Sequence, residues 1–480
     1  MTIECPFGIC YAHKSNVDVA FMETGDTSTA HLQQRLFYAK VATGVLDDKD
    51  VEALGEDEML ILLPWLLTIR SLAYPVRKRI LSSRRLLRRA WWLRAAEFDM
   101  APSHMRFYEK YTAPKGSTNA YTFFVQKMQA KTVQKGDAFL QTGVFCPIWP
   151  EEEVSKVTIM RQFASGNGPM LIKCGLMDHD LEELLLWKPD DCRADMCVMN
   201  VFGVFNNIWQ ASRPLYNLTP SAFSIDTCPL TKDVGIMEFV KGSVTLEGYD
   251  TKILMDLPEK RQLHFISTMA GSYTACYVMG CRDRHFDNFM VKNGDTFLQI
   301  DFKRCFDRAA AGPVDAPHFS IKAEIYKALH SLKFEVERKN NAGITSTFQI
   351  DGWNLFKNLC WHALKGLRTR GVAIVKIASG MFQGLRRTKH WSSQNKMQRW
   401  LLRALDLGCT DLDAQTHLND LIEMGVASWK KSLKNILHGI NLERVTTSKA
   451  PRRPSAVYTM HSSLGDIDDT VETQENEESS

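Results

Sequence analysis

The chain has 480 residues, 45% of them hydrophobic, with a formal net charge of +4, a length and apolar content that allow a large core and suggest two to four domains. Its 12 cysteines are scattered, with no CxxC pair and no His at ligand spacing from Cys5/Cys10 or Cys192/Cys197, which argues against a zinc site and for a reducing cytosol. No signal-peptide pattern opens the chain, and its most apolar run, Met59 to Ile69, is too short to span a bilayer and contains Pro64, so membrane contact is expected to be peripheral and the sequon at Asn217 incidental.

In chain order, Leu63 to Glu97 reads as a helical region with a basic face of Arg77, Lys78, Arg79, Arg84, Arg85, Arg88, Arg89 and Arg94. That face is either solvated or in contact with the rest of the protein, the alternatives being acidic lipid heads and nucleic acid. The turn Ser165-Gly-Asn-Gly-Pro169 leads into a strand carrying Lys173. Small residues there let backbone approach a phosphate closely, and an ammonium on the adjacent strand supplies a point charge. Asp190-Asp-Cys-Arg-Ala-Asp195 opens a buried helix from Met196 to Trp209, where acidic residues suit a helix N-terminus whatever their function. Gly235 to Val240 is a buried strand followed by a polar turn at Lys241-Gly-Ser243. The alternating run Thr296 to Ile300 is a strand that delivers Asp301. Trp353 to Leu367 and Trp400 to Ile440 are mainly helical, with Leu421, Ile422, Val426, Trp429, Leu433, Ile436 and Leu437 on one apolar face. Beyond Leu464 the chain carries seven acidic residues and no Lys or Arg, the composition of a disordered tail, and no internal repeat is found.

The richest segment is Gly280 to Phe302. Asp283 and Asn288 stand five apart, the interval of the catalytic loop H-R-D-x-x-x-x-N of protein kinases. Phosphoryl transfer needs oxygen ligands for a hard cation and an acceptor for a hydroxyl proton. Asn288 offers a carbonyl and Asp301 a carboxylate for Mg²⁺, with Mn²⁺ as an alternative. Asp283 or His285 could orient or deprotonate the acceptor hydroxyl, and Arg284 could stabilise a neighbouring carboxylate. The plainer alternative is a structural ion-pair network.

The order Asp283-Arg284-His285, with Asn288 and then Ile300-Asp301-Phe302, resembles the phosphatidylinositol 3-/4-kinase family, with the phosphoinositide 3-kinase catalytic domain as the nearest match. The resemblance implies an α+β, bilobal protein-kinase-like fold, a small mixed β-sheet lobe and a larger mainly helical lobe, preceded by an α-helical accessory region. The implied divisions are 1–110 accessory, 111–240 N-lobe, 241–445 C-lobe and 446–480 tail. For ATP it implies Ser165 and Pro169 in a phosphate-covering loop, Lys173 on the phosphates with Asp195 supporting that lysine, and hinge contacts from Glu238 and Val240. Met237, Met290 and Ile300, with Phe239, would wall the adenine. Lys303, Arg304 and Arg308 would meet the lipid headgroup from an activation segment spanning 303–320, and so few cations favour unphosphorylated phosphatidylinositol. The segment ASWKKSLKNILHGI, 427–440, is similar to the membrane-facing C-terminal helix of the 3-kinases.

Four departures stand out. The family's Asp-Phe-Gly is Asp301-Phe302-Lys303, a following His is Arg304, a Gly before Asp283 is replaced in Cys281-Arg282, and the interval from Lys173 to Asp190 is longer than the family usually allows. The resemblance implies a Mg-dependent phosphatidylinositol kinase, with the 3-position favoured, acting on membranes from the cytoplasm. It leaves room for a regulatory subunit, and no nucleic-acid partner is expected. The alternatives are a catalytically impaired pseudokinase scaffold and a related Ser/Thr protein kinase.

Overall fold

The computed structural model describes residues 29–104, 125–126, 128, 135–140, 145–149, 152–163, 168–176, 182–307, 315–339, 345–385 and 394–427. The C-terminal part of the basic helix expected over 427–440 and the acidic tail lie outside the described residues.

Five helices come first: α1 (Thr29–Thr43), α2 (Asp48–Glu52), α3 (Glu56–Leu66), α4 (Ala73–Leu81) and α5 (Arg84–Ala95). Their starts follow local capping chemistry. Asp47 and Asp50 form a reciprocal capping box at α2, and Ser83 accepts from the Leu86 N–H at α5. The helical region read from Leu63 to Glu97 is thus the end of α3 followed by two further helices. Much of its basic face is engaged by other parts of the chain, in exposed and half-buried contacts. Lys78 pairs with Glu52 at 2.6 Å, Arg85 with Asp57 at 2.7 Å, and Arg89 donates to the Thr227 carbonyl at 3.1 Å, while the Arg88 guanidinium lies 3.2 Å from the Phe145 ring centroid.

Strands β1 (Ala138–Leu140), β2 (Val154–Gln162), β3 (Met170–Leu176), β4 (Glu182–Lys188), β5 (Thr227–Thr231) and β6 (Val234–Glu238) form an antiparallel sheet in the order β1-β2-β3-β4-β6-β5. Alternation sorts its residues to two faces. Ile159, Ile172, Cys174, Leu185, Trp187 and Ile236 point into a small core capped by Trp92 of α5. Leu186 and Met237 face the other way, into a second and larger core.

That larger core is built on α6 (Arg193–Gln210) and extends through β7 (Ser243–Thr245), α7 (Thr251–Asp256), α8 (Glu259–Val278), β8 (Phe289–Lys292) and β9 (Thr296–Gln299). It continues through α9 (Ala323–Ser331), the hairpin β10 (Lys333–Lys339) with β11 (Thr345–Asp351), and α10 (Gly352–Arg368), α11 (Gly371–Gln383), α12 (Gln394–Ala404) and α13 (Asp411–Ala427). Strands β7, β8 and β9 pair as a small antiparallel sheet. Tyr273 of α8 is its aromatic hub, within 5.3–6.1 Å of the rings of Phe289, Phe297, Phe319 and Phe356. Helix α8 runs so close to the preceding loop that a Cβ on Gly271 would lie 2.2 Å from the Ser221 carbonyl oxygen, which explains a glycine inside a helix. Helix α11 packs on α1, α3 and α6, so the N-terminal helices share the larger core.

The first turn of α6 is tied to the end of the N-terminal helices by Arg193, which is 1% exposed. Its guanidinium makes paired bonds to Asp191 at 2.9 Å and donates to the carbonyls of Ala96 and Glu97 at 3.1 and 3.3 Å. Removing one partner of such a buried pair strands the other charge, a loss of about 3–5 kcal/mol. Arg193→Ala is therefore expected to lower the urea midpoint by that order, and Arg193→Lys, which lacks the fork, to recover only part of it; a midpoint unchanged in Arg193→Ala would show that the pair carries no stability.

Candidate active site

Strand β4 ends on Lys188, whose cross-strand partner is Gly235 of β6. Side chains alternate along β4, so Lys188 shares the face of Leu186 that turns from the small core. Its ammonium lies 3.5 Å from Asp195 Oδ2 and 4.0 Å from Asp301 Oδ1. Burial disfavours the Lys188 ammonium, but Asp195 and Asp301 outweigh burial and hold its pKa above the ordinary lysine value. Asp195, in the first turn of α6, is fully buried and uses its other oxygen to accept the Phe302 N–H at 2.9 Å. Burial raises the Asp195 pKa, with Lys188 opposing and Asp301 adding to it. One carboxylate thus joins a sheet, a helix and the chain just beyond β9.

This arrangement corrects one expectation. The partner of Asp195 is Lys188, not Lys173. Lys173 lies in the middle of β3, opposite Leu184. Leu184 precedes Lys188 by four residues, so the two lysines share a face but stand roughly 13 Å apart along the sheet. The long interval between Lys173 and Asp190 is occupied by a whole strand, β4, and the lysine adjoining the acidic motif is at the end of it.

The loop from Gly280 and the strand β9 converge as the spacing suggests. A short 3₁₀ turn, Phe286–Asn288, leads into β8, and the Ile300 N–H donates to the Asn288 carbonyl at 3.0 Å. Asp283 and Asp301 both adopt left-handed backbone, at φ 68° and 59°, a conformation that side chains other than glycine rarely hold and that costs on the order of 1 kcal/mol or more. Arg284 holds them there. It is 1% exposed and donates to the carbonyls of Arg282 at 3.0 Å, Ile300 at 2.9 Å and Asp301. Arg284 is therefore a positioning residue: its guanidinium clamps backbone, and its charge reaches Asp301 only as a secondary aid to ionisation.

Asn288 Nδ2 donates to the Asp283 carbonyl at 2.8 Å, which fixes which end of the amide is nitrogen. The same nitrogen lies 3.1 Å from His285 Nε2, so that ring nitrogen is the acceptor and its lone pair is directed at Asn288. The amide oxygen of Asn288 is the end suited to a cation. Asp301 is half-open to the cleft, while its Oδ1 is buried and accepts no hydrogen bond. Burial raises the Asp301 pKa, but Lys188, Lys303 and Arg284 outweigh it and hold the carboxyl below the usual range. A buried, ionised oxygen that accepts no hydrogen bond, one residue beyond the Ile300 N–H that binds the Asn288 backbone, fits a hard divalent cation.

Lys303 forms an ion pair with Asp190 and lies 4.0 Å from Asp301 Oδ1. Arg304 accepts the Arg282 N–H on its carbonyl at 2.7 Å. Arg282 in turn pairs with Asp315 at 3.4 Å and Asp307 at 3.6 Å, fastening the loop to both described ends of the segment that follows. Arg308 and Ser165 lie outside the described residues. Pro169 closes the β2–β3 hairpin, accepting the Phe163 N–H at 2.8 Å. Met237, Val240 and Met290 are buried and Ile300 half-buried in the larger core, and the Glu238 N–H donates to the Asp226 carbonyl at 2.8 Å. The sequence reading passed over Lys188 and Arg193. The apolar run LLLW before Lys188 was the available signal, since it marks a strand ending beside the acidic motif.

Residues 256–383 match the family model "Phosphatidylinositol 3- and 4-kinase". The chain is 23% identical over 285 residues to Phosphatidylinositol 4-kinase beta 2 of Arabidopsis thaliana, covering 54% of this chain and 24% of that protein. It is 28% identical over 173 residues to the Encephalitozoon cuniculi protein named "Probable phosphatidylinositol 3-kinase VPS34 homolog", covering 34% of each. Phosphatidylinositol 3-kinase 1 of Dictyostelium discoideum is 29% identical over 149 residues, covering 26% of this chain and 9% of that protein. The matches thus span between 9% and 34% of the length of these relatives.

The ion pairs have a pH signature. Asp190 and Asp301 have folded-state pKa values below the ordinary 3.8; burial pushes Asp190 up, but Lys303 outweighs it. Their contribution to stability is present above that ordinary value and is lost as pH falls through the folded-state values. Urea midpoints measured from pH 6 downward should fall below about pH 4, and Asp190→Asn should flatten that acid limb. An identical limb in the variant would mean that the Lys303 pair does not contribute.

Proposed function

The chain belongs to the phosphatidylinositol 3- and 4-kinase family, and from that premise we propose that it transfers the γ-phosphate of ATP to an inositol hydroxyl of phosphatidylinositol. The observation that carries this reading is the convergence of Lys188, Asp195 and Asp301 on one point beside Asp283 and Asn288. ATP lies between the small β-sheet core and the larger, mainly helical core, which act as the two lobes of a kinase. Lys188 holds the phosphates, with Asp195 keeping its ammonium charged and aimed. Asn288 and Asp301 hold Mg²⁺, which on binding neutralises phosphate charge. The Glu238 N–H is committed to Asp226, so the adenine ring meets the Glu238 carbonyl and the Val240 N–H, between the apolar side chains of Met237, Met290 and Ile300.

Asp283 receives the proton of the attacking hydroxyl, because the His285 Nε2 lone pair is directed at Asn288. Phosphatidylinositol itself is the favoured substrate. Further phosphates on the headgroup call for available cations, and Lys303 and Arg282 are already neutralised by Asp190, Asp307 and Asp315. The 3-hydroxyl is the acceptor we favour, on the likeness of segment 427–440 to phosphoinositide 3-kinases, which also supports a cytoplasmic protein bound peripherally to membrane. A second reading, a scaffold that binds ATP without turnover, is favoured by one observation: Lys303 lies 4.0 Å from the carboxylate that must take the metal.

Radiolabelled ATP with vesicles of phosphatidylinositol, its 4-phosphate and its 4,5-bisphosphate, beside a protein Ser/Thr substrate, separates these readings. Product is expected on phosphatidylinositol. Lys188→Ala and Asp301→Ala should each lose roughly 10²-fold or more, while Lys173→Ala stays within several-fold of the wild type. ATP binding with no lipid product would establish the scaffold, and a loss in Lys173→Ala equal to that in Lys188→Ala would overturn the assignment of the phosphate lysine.

A further inference from the structure

A second site stands at the far end of α6. Asp195 is in the first turn of that helix and Ala211 caps its end, so the two are separated by roughly 24 Å at 1.5 Å per residue. Around Ala211 lies a half-open cleft of about 500 Å³, between α1, the turn after α6, the β10–β11 hairpin and the C-terminal half of α10. That size belongs to small-molecule sites and exceeds what a single phosphate ion fills.

Four cations line it: Arg35, Arg213, Lys365 and Arg370. Lys365 has a counterion, Asp411 at 3.2 Å. Among the described residues no carboxylate pairs with the other three. Arg35 is 7% exposed and donates to the Ala211 carbonyl at 3.1 Å, and Arg370 donates to the Thr369 carbonyl at 3.2 Å. Burial, and after it the charge of Arg35, holds the Arg370 pKa below the ordinary arginine value. His362, also on the lining, is lowered by burial first and by Lys365 as well. A buried cation such as Arg35, with the half-buried Arg370 beside the same cavity, is costly without a counterion unless an anion joins it.

The rest of the lining suits a polar ligand with hydroxyls. Ser212, Asn217, Thr345 and Thr369 are there, with a single carboxylate, Glu337, on the exposed rim. Tyr216 and Asn217 form the tip of a two-residue turn between Leu215 and Leu218, both with positive φ, at 55° and 60°. That backbone is unfavourable for a tyrosine, and strain of this kind persists where the surroundings hold a site in shape.

We propose that this cavity binds a phosphorylated small molecule larger than inorganic phosphate, with Arg35 and Arg370 on its floor and Arg213 and Lys365 at its mouth taking the phosphate oxygens. The chemistry recognised is the phosphate ester, whether it arrives as a soluble polyol phosphate or as a lipid headgroup. The inference does not depend on phosphotransfer at the other end of α6.

Isothermal titration calorimetry of the full chain tests it, with inositol trisphosphate, inorganic phosphate and citrate as soluble probes and phosphatidylinositol 4-phosphate vesicles as the membrane arm. Inositol trisphosphate is expected to bind more tightly than either inorganic phosphate or citrate. Arg213→Glu, exposed and expected to keep the wild-type melting temperature, and Lys365→Glu should each weaken binding roughly tenfold or more, and Glu337→Gln should strengthen it several-fold. Binding to the vesicles alone, weakened by the same two variants, would assign the site to a membrane headgroup. No binding of any phosphate probe, citrate bound as tightly as inositol trisphosphate, or affinities indifferent to both charge reversals would overturn the proposal.

Discussion

The buried carboxylate of Asp195 is the constraint on which the rest of the site depends. A carboxylate with no exposure is tolerated in a protein interior only when its oxygens are matched, and here each has one partner: the Lys188 ammonium and the Phe302 N–H. The three groups come from β4, α6 and the chain after β9, so satisfying one charge fixes three elements against one another. Its position in the first turn of α6 helps, because the helix N-terminus favours negative charge. Arg193, two residues earlier, anchors the same turn to the N-terminal helices through Ala96 and Glu97. The N-terminal helices are thereby tied directly to the helical turn that carries Asp195.

The second constraint is conformational. Asp283 and Asp301 are both held in left-handed backbone, and the energy for that is supplied by Arg284 bridging the carbonyls of Ile300 and Asp301 and by Asn288 bonding the Asp283 carbonyl. Two residues that sequence reading placed in the chemistry thus also do structural work. Arg284 spends its donors on backbone, and Asn288 spends its nitrogen there, leaving its oxygen for a cation. Preorganisation of this sort lets charged groups face a ligand without rearranging when it arrives.

Much of this was legible in the sequence, and the gaps have physical causes. Helices with strong apolar periodicity, Met196 to Trp209 and Trp353 to Leu367, sit within the observed α6 and α10. The Asp283, Asn288 and Asp301 convergence followed from loop spacing plus a short strand, both local signals. The error at Lys173 was not local. Two lysines end or occupy neighbouring strands on the same face, and only strand order and register decide which of them reaches α6. The β10–β11 hairpin was passed over because its second strand, Thr345–Asp351, is largely exposed and shows no buried alternation to read. The pairing of the basic stripe on α4 and α5 was ambiguous for a related reason: its partners, Glu52, Asp57 and Thr227, come from other elements.

The departure at position 303 is better understood in structure than in sequence. A lysine where the family resemblance implies glycine raises the question of backbone freedom, yet positive φ occurs at Asp301, Phe306 and Asp307 and not at Lys303, so the chain has no need of glycine there. What the substitution changes is charge. Lys303 is seated on Asp190, at the head of the acidic motif, within 4.0 Å of Asp301. The three carboxylates Asp190, Asp195 and Asp301 stand against two ammonium groups, Lys188 and Lys303, leaving one net negative charge where glycine would leave two. A less negative cluster attracts a divalent cation less strongly, and it repels the phosphates of a nucleotide less. The lysine therefore weakens the pull of the cluster on a lone divalent cation and lessens its repulsion of a polyphosphate.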